Sequence, residues 1–360
     1  MPGTNPAEAM RVIAGELPDF PHVPELPDRG PGADLTGRTA SLLVDIPVEV
    51  TPRGWRLAER PGRDLARARA MLSSDLDVME EVLNGFRGPV KIQLCGPWTL
   101  AATLELPRTL NVAVADPGAV ADLTASLAEG AAAHAAELAK RVPGADLVVQ
   151  FDEPALSAVA GGEVPTASGL SRLAAVEADV LRERLAQAIA STGTYTVVHS
   201  CSNAVPFGII RAAGADAISF DLGQLRRGEE DEVAESAEAG LGLLTGVVPA
   251  APAPGRTDQR AQDAQEDPGG RTGLTRQGSQ RAQGAPGDGS PEARETAERV
   301  IRLWRRLGLP PATCAGQAVI TPACGLAGAS PAQARAALTR CREAGSMLAE
   351  LIEETGEEPR

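Results

Sequence analysis

Short runs of β-branched and aliphatic residues alternate along the chain with longer Ala-, Leu- and Arg-rich stretches. The short runs predict buried strands, and the longer stretches, with apolar residues every three or four positions, predict amphipathic helices. Seven strands are predicted, at 41–48, 89–95, 146–152, 194–201, 216–221, 242–248 and 317–321. The predicted helices cover 7–17, 64–84, 117–141, 169–190, 204–213, 229–238, 291–307 and 331–354. This alternation favours an α/β fold with a parallel sheet covered by helices.

Such a sheet can be arranged in two ways. A doubly wound sheet favours a glycine-rich phosphate loop after its first strand, and no G-x-G-x-x-G stands there. Chemically useful side chains instead follow the carboxyl ends of several strands, where a (β/α)8 TIM-type barrel builds its active site. We therefore predict one barrel domain over residues 1–360. Because only seven strands are found, either a first strand belongs upstream of Met1, so that the sequence starts late, or segment 20–26 takes its place.

Residues 252–296 differ in kind from the rest of the chain. They are rich in Gly, Gln, Arg, Asp and Pro and contain almost no large apolar residue. Such a composition buries too little surface to offset the entropy of ordering the chain. It predicts a disordered insertion within the barrel domain, most simply a solvated loop without function.

Composition and charge narrow the partners. The net charge of −14, without a local cluster of Lys and Arg, argues against a nucleic-acid partner. The apolar runs are far shorter than the ~20 residues of a membrane span, and the N-terminus does not resemble a signal peptide. Five Cys in 360 residues do not form a disulfide scaffold. We expect a cytoplasmic protein whose thiols are available for metal binding or chemistry.

The most informative chemical pattern is His199-Ser200-Cys201 at the end of a predicted strand. Residues two apart in a strand point the same way, so His199 and Cys201 should project together. Asp221 ends the next strand, and Cys324 follows the last one. One nitrogen, two sulfurs and one oxygen form a plausible tetrahedral Zn²⁺ site. The alternatives are a cap or loop hydrogen bond for Asp221 and a small buried side chain for Cys324, while His22 and His134 show no comparable pattern.

A second pattern is the strand that runs into Asp152-Glu153-Pro154. Asp152 can hold a substrate ammonium group, and Glu153 can either do the same or cap the following turn. Trp98 follows another strand, in Cys95-Gly96-Pro97-Trp98. Its ring can stack on a flat ligand such as a pterin, with core packing as the equally good alternative.

Four segments carry a family resemblance: 150–155 (Gln-Phe-Asp-Glu-Pro-Ala), 199–201, 217–221 and 322–326 (Pro-Ala-Cys-Gly-Leu). Together they resemble the C-terminal catalytic barrel of cobalamin-independent methionine synthase, which is related to uroporphyrinogen decarboxylase, here in a single-barrel form. The resemblance implies transfer of a methyl group from a methyl-folate or methyl-corrinoid to homocysteine, giving methionine. Its site residues are carried over as follows: Zn²⁺ on His199, Cys201, Asp221 and Cys324, and the homocysteine amino group on Asp152, with Glu49 as a second acidic contact.

The sequence also departs from the family. Asp221 stands where the family usually has Glu, and 245–249 lack the His that the family carries after its seventh strand. Two alternatives therefore remain open. One is a decarboxylase of the uroporphyrinogen type, which would need Arg residues at the barrel mouth. The other is a zinc-binding homologue with a degenerate, non-catalytic site.

Overall fold

The computed structural model of the protein describes residues 1–250 and 290–354. Most of the predicted insertion, 252–289, lies outside the described residues. Its last part does not: Ser290 caps a helix that starts at Pro291, and Ala293 and Thr296 are buried. The predicted boundary at 296 is wrong, because helical packing already begins at 291.

The described residues form eight strands. Six of them make one parallel sheet whose strands follow one another in chain order, and the first two pair separately as an antiparallel hairpin. The strands are β1 (Val48–Thr51), β2 (Gly54–Leu57), β3 (Gly88–Cys95), β4 (Ala145–Asp152), β5 (Tyr195–Ser200), β6 (Ala217–Asp221), β7 (Gly242–Val248) and β8 (Ala318–Pro322). The predicted parallel α/β architecture is confirmed, and six of the seven predicted strands lie within two residues of their expected ends.

Helices cover the outside of this sheet. They are α1 (Pro6–Glu16), α2 (Leu35–Ala40), α3 (Arg63–Val82), α4 (Pro97–Thr103), α5 (Pro117–Arg141), α6 (Leu156–Ala160), α7 (Ala178–Thr192), α8 (Phe207–Ala212), α9 (Glu230–Glu238), α10 (Pro291–Arg306), α11 (Pro311–Gln317) and α12 (Pro331–Glu354). The start of α5 is explained by its local sequence. The Asp116 side chain accepts hydrogen bonds from the amides of Gly118 and Ala119, and Pro117 occupies the first turn. None of the described helices is long and apolar enough to cross a membrane.

The prediction of a strand at 41–48 is wrong. Residues 41–47 form turns after α2, and only Val48 belongs to a strand. The run is apolar because it is a buried loop: Leu43 is 1 % exposed, and Ser126 donates to the carbonyl oxygen of Val44 at 2.7 Å. The helix expected at 169–190 likewise begins only at Ala178.

Segment 20–26 extends the parallel sheet beside β3. The amide of Lys91 donates to Pro21 O at 3.0 Å, and the amide of Val23 donates to Lys91 O at 3.0 Å. This is the segment that the sequence analysis gave as a substitute for the missing first strand. At the opposite edge, β8 pairs only with β7 among the described strands. The sheet is therefore curled without closing into a full barrel over the described residues, and a strand upstream of Met1 stays a prediction.

The concave side of the sheet has an apolar floor. Val148, Val197, Ala217 and Leu244 form a small buried cluster there, with Phe20 and Val319 packed against it. This floor belongs to the amino-terminal half of the strands and leaves polar side chains at the carboxyl ends to surround an open space. The larger core lies between the sheet and the helices.

Candidate functional site

A cavity of about 800 Å³ opens inside the curled sheet. Asp152, His199, Cys201 and Cys324, four of the predicted site residues, line it from β4, β5 and the segment after β8. Their side chains meet because parallel strands present their carboxyl ends at one rim. Asp221, Glu153, Trp98 and Glu49 are not part of this lining.

His199 is held in a form suited to metal binding. Its Nδ1 lies 2.9 Å from Ser219 Oγ, which fixes the ring and leaves Nε2 available. Burial, together with the nearby Lys91 ammonium, lowers the pKa of His199 to about 4. The imidazole is therefore neutral at pH 7, as a metal ligand must be.

Cys201 and Cys324 come from different ends of the chain and meet in the cavity. Their thiols form a hydrogen bond, which raises the pKa of Cys201 and lowers the pKa of Cys324 to about 6. The amide of Gly325 also lowers the pKa of Cys324. The pair thus shares one proton easily, and one sulfur has thiolate character near neutral pH.

Asp221 is close to this group without joining it. Its carboxylate accepts from the amide of Gly223 at 2.8 Å and from Gln224 Nε2 at 3.2 Å, which is the loop hydrogen bonding weighed from the sequence. Its charge nevertheless raises the pKa values of both His199 and Cys324. Asp221 therefore lies near the other three candidate ligands with its oxygens engaged in a local turn.

The four candidate ligands fit Zn²⁺ in kind. A free imidazole nitrogen, two adjacent sulfurs and a nearby carboxylate are the donors of tetrahedral zinc sites. Within residues 1–250 and 290–354, however, no three His, Cys, Asp or Glu side chains are arranged closely enough to hold a metal ion. Binding zinc here requires the side chains to converge further, with Asp221 turning from its loop.

Asp152 faces the cavity as a buried carboxylate. It is 8 % exposed and accepts from Gln150 Nε2 at 2.7 Å. Burial raises the pKa of Asp152 to about 6, although Lys91 opposes the shift. A carboxylate that is costly to ionise alone gains strongly from a cationic ligand group.

Glu25 is a second cavity carboxylate, which the sequence analysis missed. Burial raises the pKa of Glu25 to about 7, opposed by Arg38, whose Nε lies 3.9 Å from Glu25 Oε1. Arg38 is itself held by Asp75 at 2.8 Å. The residue was missed because segment 20–26 was considered only as a substitute strand, and its prolines hide the alternation that shows which side chains face the sheet interior.

Glu49, the predicted second acidic contact, lies elsewhere. It belongs to the β1–β2 hairpin and accepts from Arg56 Nε at 3.0 Å. The expectation placed it after the strand at 41–48, and that strand is absent. Of these two acids, Glu25 lines the cavity and Glu49 does not.

Glu153 and Trp98 serve the fold beneath the site. Glu153 is fully buried and accepts from the amides of Trp98 at 2.9 Å and Thr99 at 2.7 Å, at the start of α4. Trp98 is 1 % exposed, and its Nε1 donates to Leu181 O at 2.9 Å. Glu153 therefore has the capping role and Trp98 the packing role that the sequence analysis gave as alternatives. Neither side chain is placed to touch a ligand in the cavity.

The chain was compared with curated proteins and with solved structures. No curated protein matches the chain significantly. Among solved structures, the chain is similar to a B12-independent methionine synthase from Shewanella sp. W3-18-1 in complex with selenomethionine, at 16 % identity and a TM-score of 0.45, over 78 % of this chain and 67 % of that one.

The family comparison covers more than half of the chain. The model of the catalytic domain of cobalamin-independent synthase matches residues 29–260. The matched region contains Asp152, His199, Cys201 and Asp221. The chain therefore belongs to the family of cobalamin-independent synthase catalytic domains.

Proposed function

We propose that the protein is a zinc-dependent methyltransferase that moves a methyl group onto the sulfur of homocysteine and so forms methionine. The observation that carries the proposal is the meeting of the Cys201–Cys324 thiol pair with two cavity carboxylates, the buried Asp152 and the half-buried Glu25, in one cavity. A sulfur-binding end and an ammonium-binding end in one cavity match a small amino thiol.

At the sulfur end, His199, Cys201 and Cys324 would hold Zn²⁺, with Asp221 as a fourth ligand. Bound Zn²⁺ lowers the pKa of a thiol, so that the substrate sulfur is nucleophilic at neutral pH. The chain's own part is to orient the ligands: Ser219 fixes the His199 ring, and the amide of Gly325 favours the thiolate of Cys324. Asp221 is the ligand most easily exchanged, since its oxygens already have partners in the loop.

At the amino end, Asp152 and Glu25 would hold the substrate ammonium. Both carboxylates are costly to ionise in the empty cavity, and an ammonium group offsets that cost. Gln150 fixes Asp152, and the chain Asp75–Arg38 supports Glu25. The substrate is thereby anchored so that its sulfur reaches the thiol pair. Binding of the ammonium group would thus orient the sulfur for methyl transfer.

The methyl donor would be a methyl-folate or a methyl-corrinoid. Trp98 is enclosed and cannot stack on it, so the donor must bind at the rim by other residues. The uroporphyrinogen-type alternative gains no support from the cavity, since among the described residues only one Arg, Arg342 on α12, lines it. Such a reaction would need several Arg to hold substrate carboxylates.

The test is zinc content together with methyl transfer to homocysteine, assayed side by side with methyl-folate and methylcobalamin. We expect near-stoichiometric zinc and transfer from one donor. Cys324→Ala should lose the zinc and lower transfer by more than about 100-fold, because it removes a ligand. Cys314→Ala is the matched control, since Cys314 is a buried thiol on α11 outside the cavity.

The outcomes distinguish a zinc-dependent methyltransferase from a non-catalytic zinc-binding homologue. Wild-type protein that binds no zinc and transfers from neither donor refutes the proposal. Zinc that is bound without transfer identifies the non-catalytic homologue instead.

A further inference from the structure

Lys91 is an unusual residue for this chain. Of 34 Lys and Arg, only Lys91 and Lys140 are lysines. Lys140 is exposed in the last turn of α5, whereas Lys91 lies on β3 and lines the cavity. The Lys91 ammonium therefore enters the cavity from the strand beside Asp152, while the α-ammonium of Met1, which also lines the cavity, donates to Glu25 O at 2.7 Å.

The surroundings of Lys91 leave its ammonium partly unsatisfied. Its Nζ donates to Gln93 Oε1 at 3.2 Å. Burial lowers the pKa of Lys91, whereas the charges of Asp152 and Glu25 raise it, and in residues 1–250 and 290–354 the ammonium forms no ion pair within 4.0 Å. An ammonium carries three donors, so Nζ has capacity for an incoming acceptor.

The other positive groups at the cavity are less suited to bind an anion beside Asp152. Burial lowers the pKa of His22 to about 3, so its ring is neutral at pH 7. The His199 ring is neutral as well, and its Nδ1 is hydrogen-bonded with Ser219 Oγ. Arg342 enters from α12, a helix on the outside of the sheet. The α-ammonium of Met1 is engaged by Glu25 O at 2.7 Å, and Arg38 is engaged by Asp75 and Glu25. Lys91 is thus the cationic side chain that lines the cavity from the strand next to Asp152.

We propose that Lys91 binds the α-carboxylate of the amino-acid substrate, opposite the ammonium group held by Asp152 and Glu25. This inference rests on the proposed function, which supplies an amino acid as the substrate. An α-amino acid carries its ammonium group and its carboxylate on neighbouring carbons. This side of the cavity presents the carboxylates of Asp152 and Glu25 and the ammonium group of Lys91. The subsite makes the cavity selective for amino acids over amines that carry the same sulfur arm.

Binding of two compounds measures the subsite directly. L-Methionine and 3-(methylthio)propylamine differ only by the carboxylate, and both are titrated into the full-length chain by calorimetry. We expect wild-type protein to prefer methionine by about 10-fold to 100-fold, as for a hydrogen bond to a charged group. Lys91→Met should bring the ratio close to one by weakening methionine alone. Lys91→Arg should keep part of the preference, and Lys140→Met is the matched control that keeps all of it.

A second measurement needs no variant at the site. With two lysines, protein labelled with ¹³C-lysine gives two Hε–Cε signals in an NMR spectrum, assigned by Lys140→Met. Methionine should shift the Lys91 signal more than the amine does. The Lys140 signal should stay in place.

The subsite is overturned if Lys91→Met keeps the full preference, if wild-type protein binds both compounds equally, or if it binds neither. Failure of the proposed function looks different. Absence of zinc or of methyl transfer leaves methionine binding measurable, because that binding needs neither the metal nor a methyl donor.

Discussion

Asp152 and Glu25 reach one cavity from elements far apart in the chain, and both carry pKa values raised by burial. Each is neutralised in part by a neighbouring cation, Lys91 for Asp152 and Arg38 for Glu25. Carboxylates that resist ionisation when alone and ionise around a bound ammonium make ligand binding dependent on pH. The same two residues thus link the electrostatics of the empty cavity to its proposed ligand.

Methionine binding should therefore weaken in acid. The pKa is about 6 for Asp152 and about 7 for Glu25, so protonation proceeds as the pH falls through this range. A protonated carboxyl cannot pair with an ammonium group, and the dissociation constant should rise as pH falls from 8 to 5.5. Calorimetric titrations across this range in wild-type protein measure the slope.

Neutral variants show which groups produce that slope. Asp152→Asn should weaken methionine binding at pH 8 by about 10-fold to 100-fold and flatten the pH profile. Glu25→Gln should do the same, whereas Glu49→Gln should leave the profile unchanged. A profile that keeps its slope in both cavity variants would show that other groups titrate.

At the scale of single elements, the strands of the sheet were the most predictable part. β3 to β8 are short, mostly apolar runs because most of their residues are buried, and such runs can be recognised in the sequence. The run at 41–48 has the same composition but packs Leu43 as a loop. Segment 20–26 pairs with β3 despite its prolines. Glu25 was missed because the prolines hide which side chains of this segment face the cavity.

The start of α4 is an element whose stability depends on one side chain. Glu153 accepts from the amides of Trp98 and Thr99 and from Thr99 Oγ1 at 2.7 Å. Glu153→Ala leaves these donors buried without an acceptor, and the free energy of unfolding should fall by about 2–4 kcal/mol. Urea unfolding measures the loss.

The exposed Glu163 provides the control. Glu163→Ala should change the free energy of unfolding by less than about 0.5 kcal/mol. Equal stability of the two alanine variants would contradict the capping role of Glu153. It would return Glu153 to the list of possible ligand contacts.

At the scale of the whole molecule, closure of the sheet is the feature that local sequence could not supply. The alternation of strands and helices predicts a parallel sheet, and it cannot say whether the last strand meets the first. In the described residues the edge at β8 and the edge at segment 20–26 stay apart. The convergence of His199, Cys201 and Cys324 could be foreseen because it depends only on parallel strands sharing one rim. The exact arrangement of their side chains could not, since it depends on contacts such as those of Ser219 and Gln224.

The described parts on either side of residues 251–289 pack as one body, and this leads to a prediction for proteolysis. β7 and β8 form a ladder across that stretch, and Arg299 donates to Val247 O at 3.0 Å. The composition of 252–289 predicts the first trypsin cleavages at its arginines, such as Arg256 and Arg271. The two fragments should remain associated, because the strand pairing and the helices around it hold them together.

Limited digestion followed by gel filtration and mass spectrometry measures both the site of cleavage and the association. The nicked protein should bind methionine with an unchanged dissociation constant, since Asp152, Glu25 and Lys91 lie in the first fragment and the ladder keeps Cys324 beside them. Arg299→Ala serves as a comparison, as it removes one contact across the stretch without touching the cavity. Early cleavage within β7 or α10 instead of 252–289 would contradict the sequence-based prediction of a disordered insertion. Fragments that separate at once would contradict the packing of the two parts as one body.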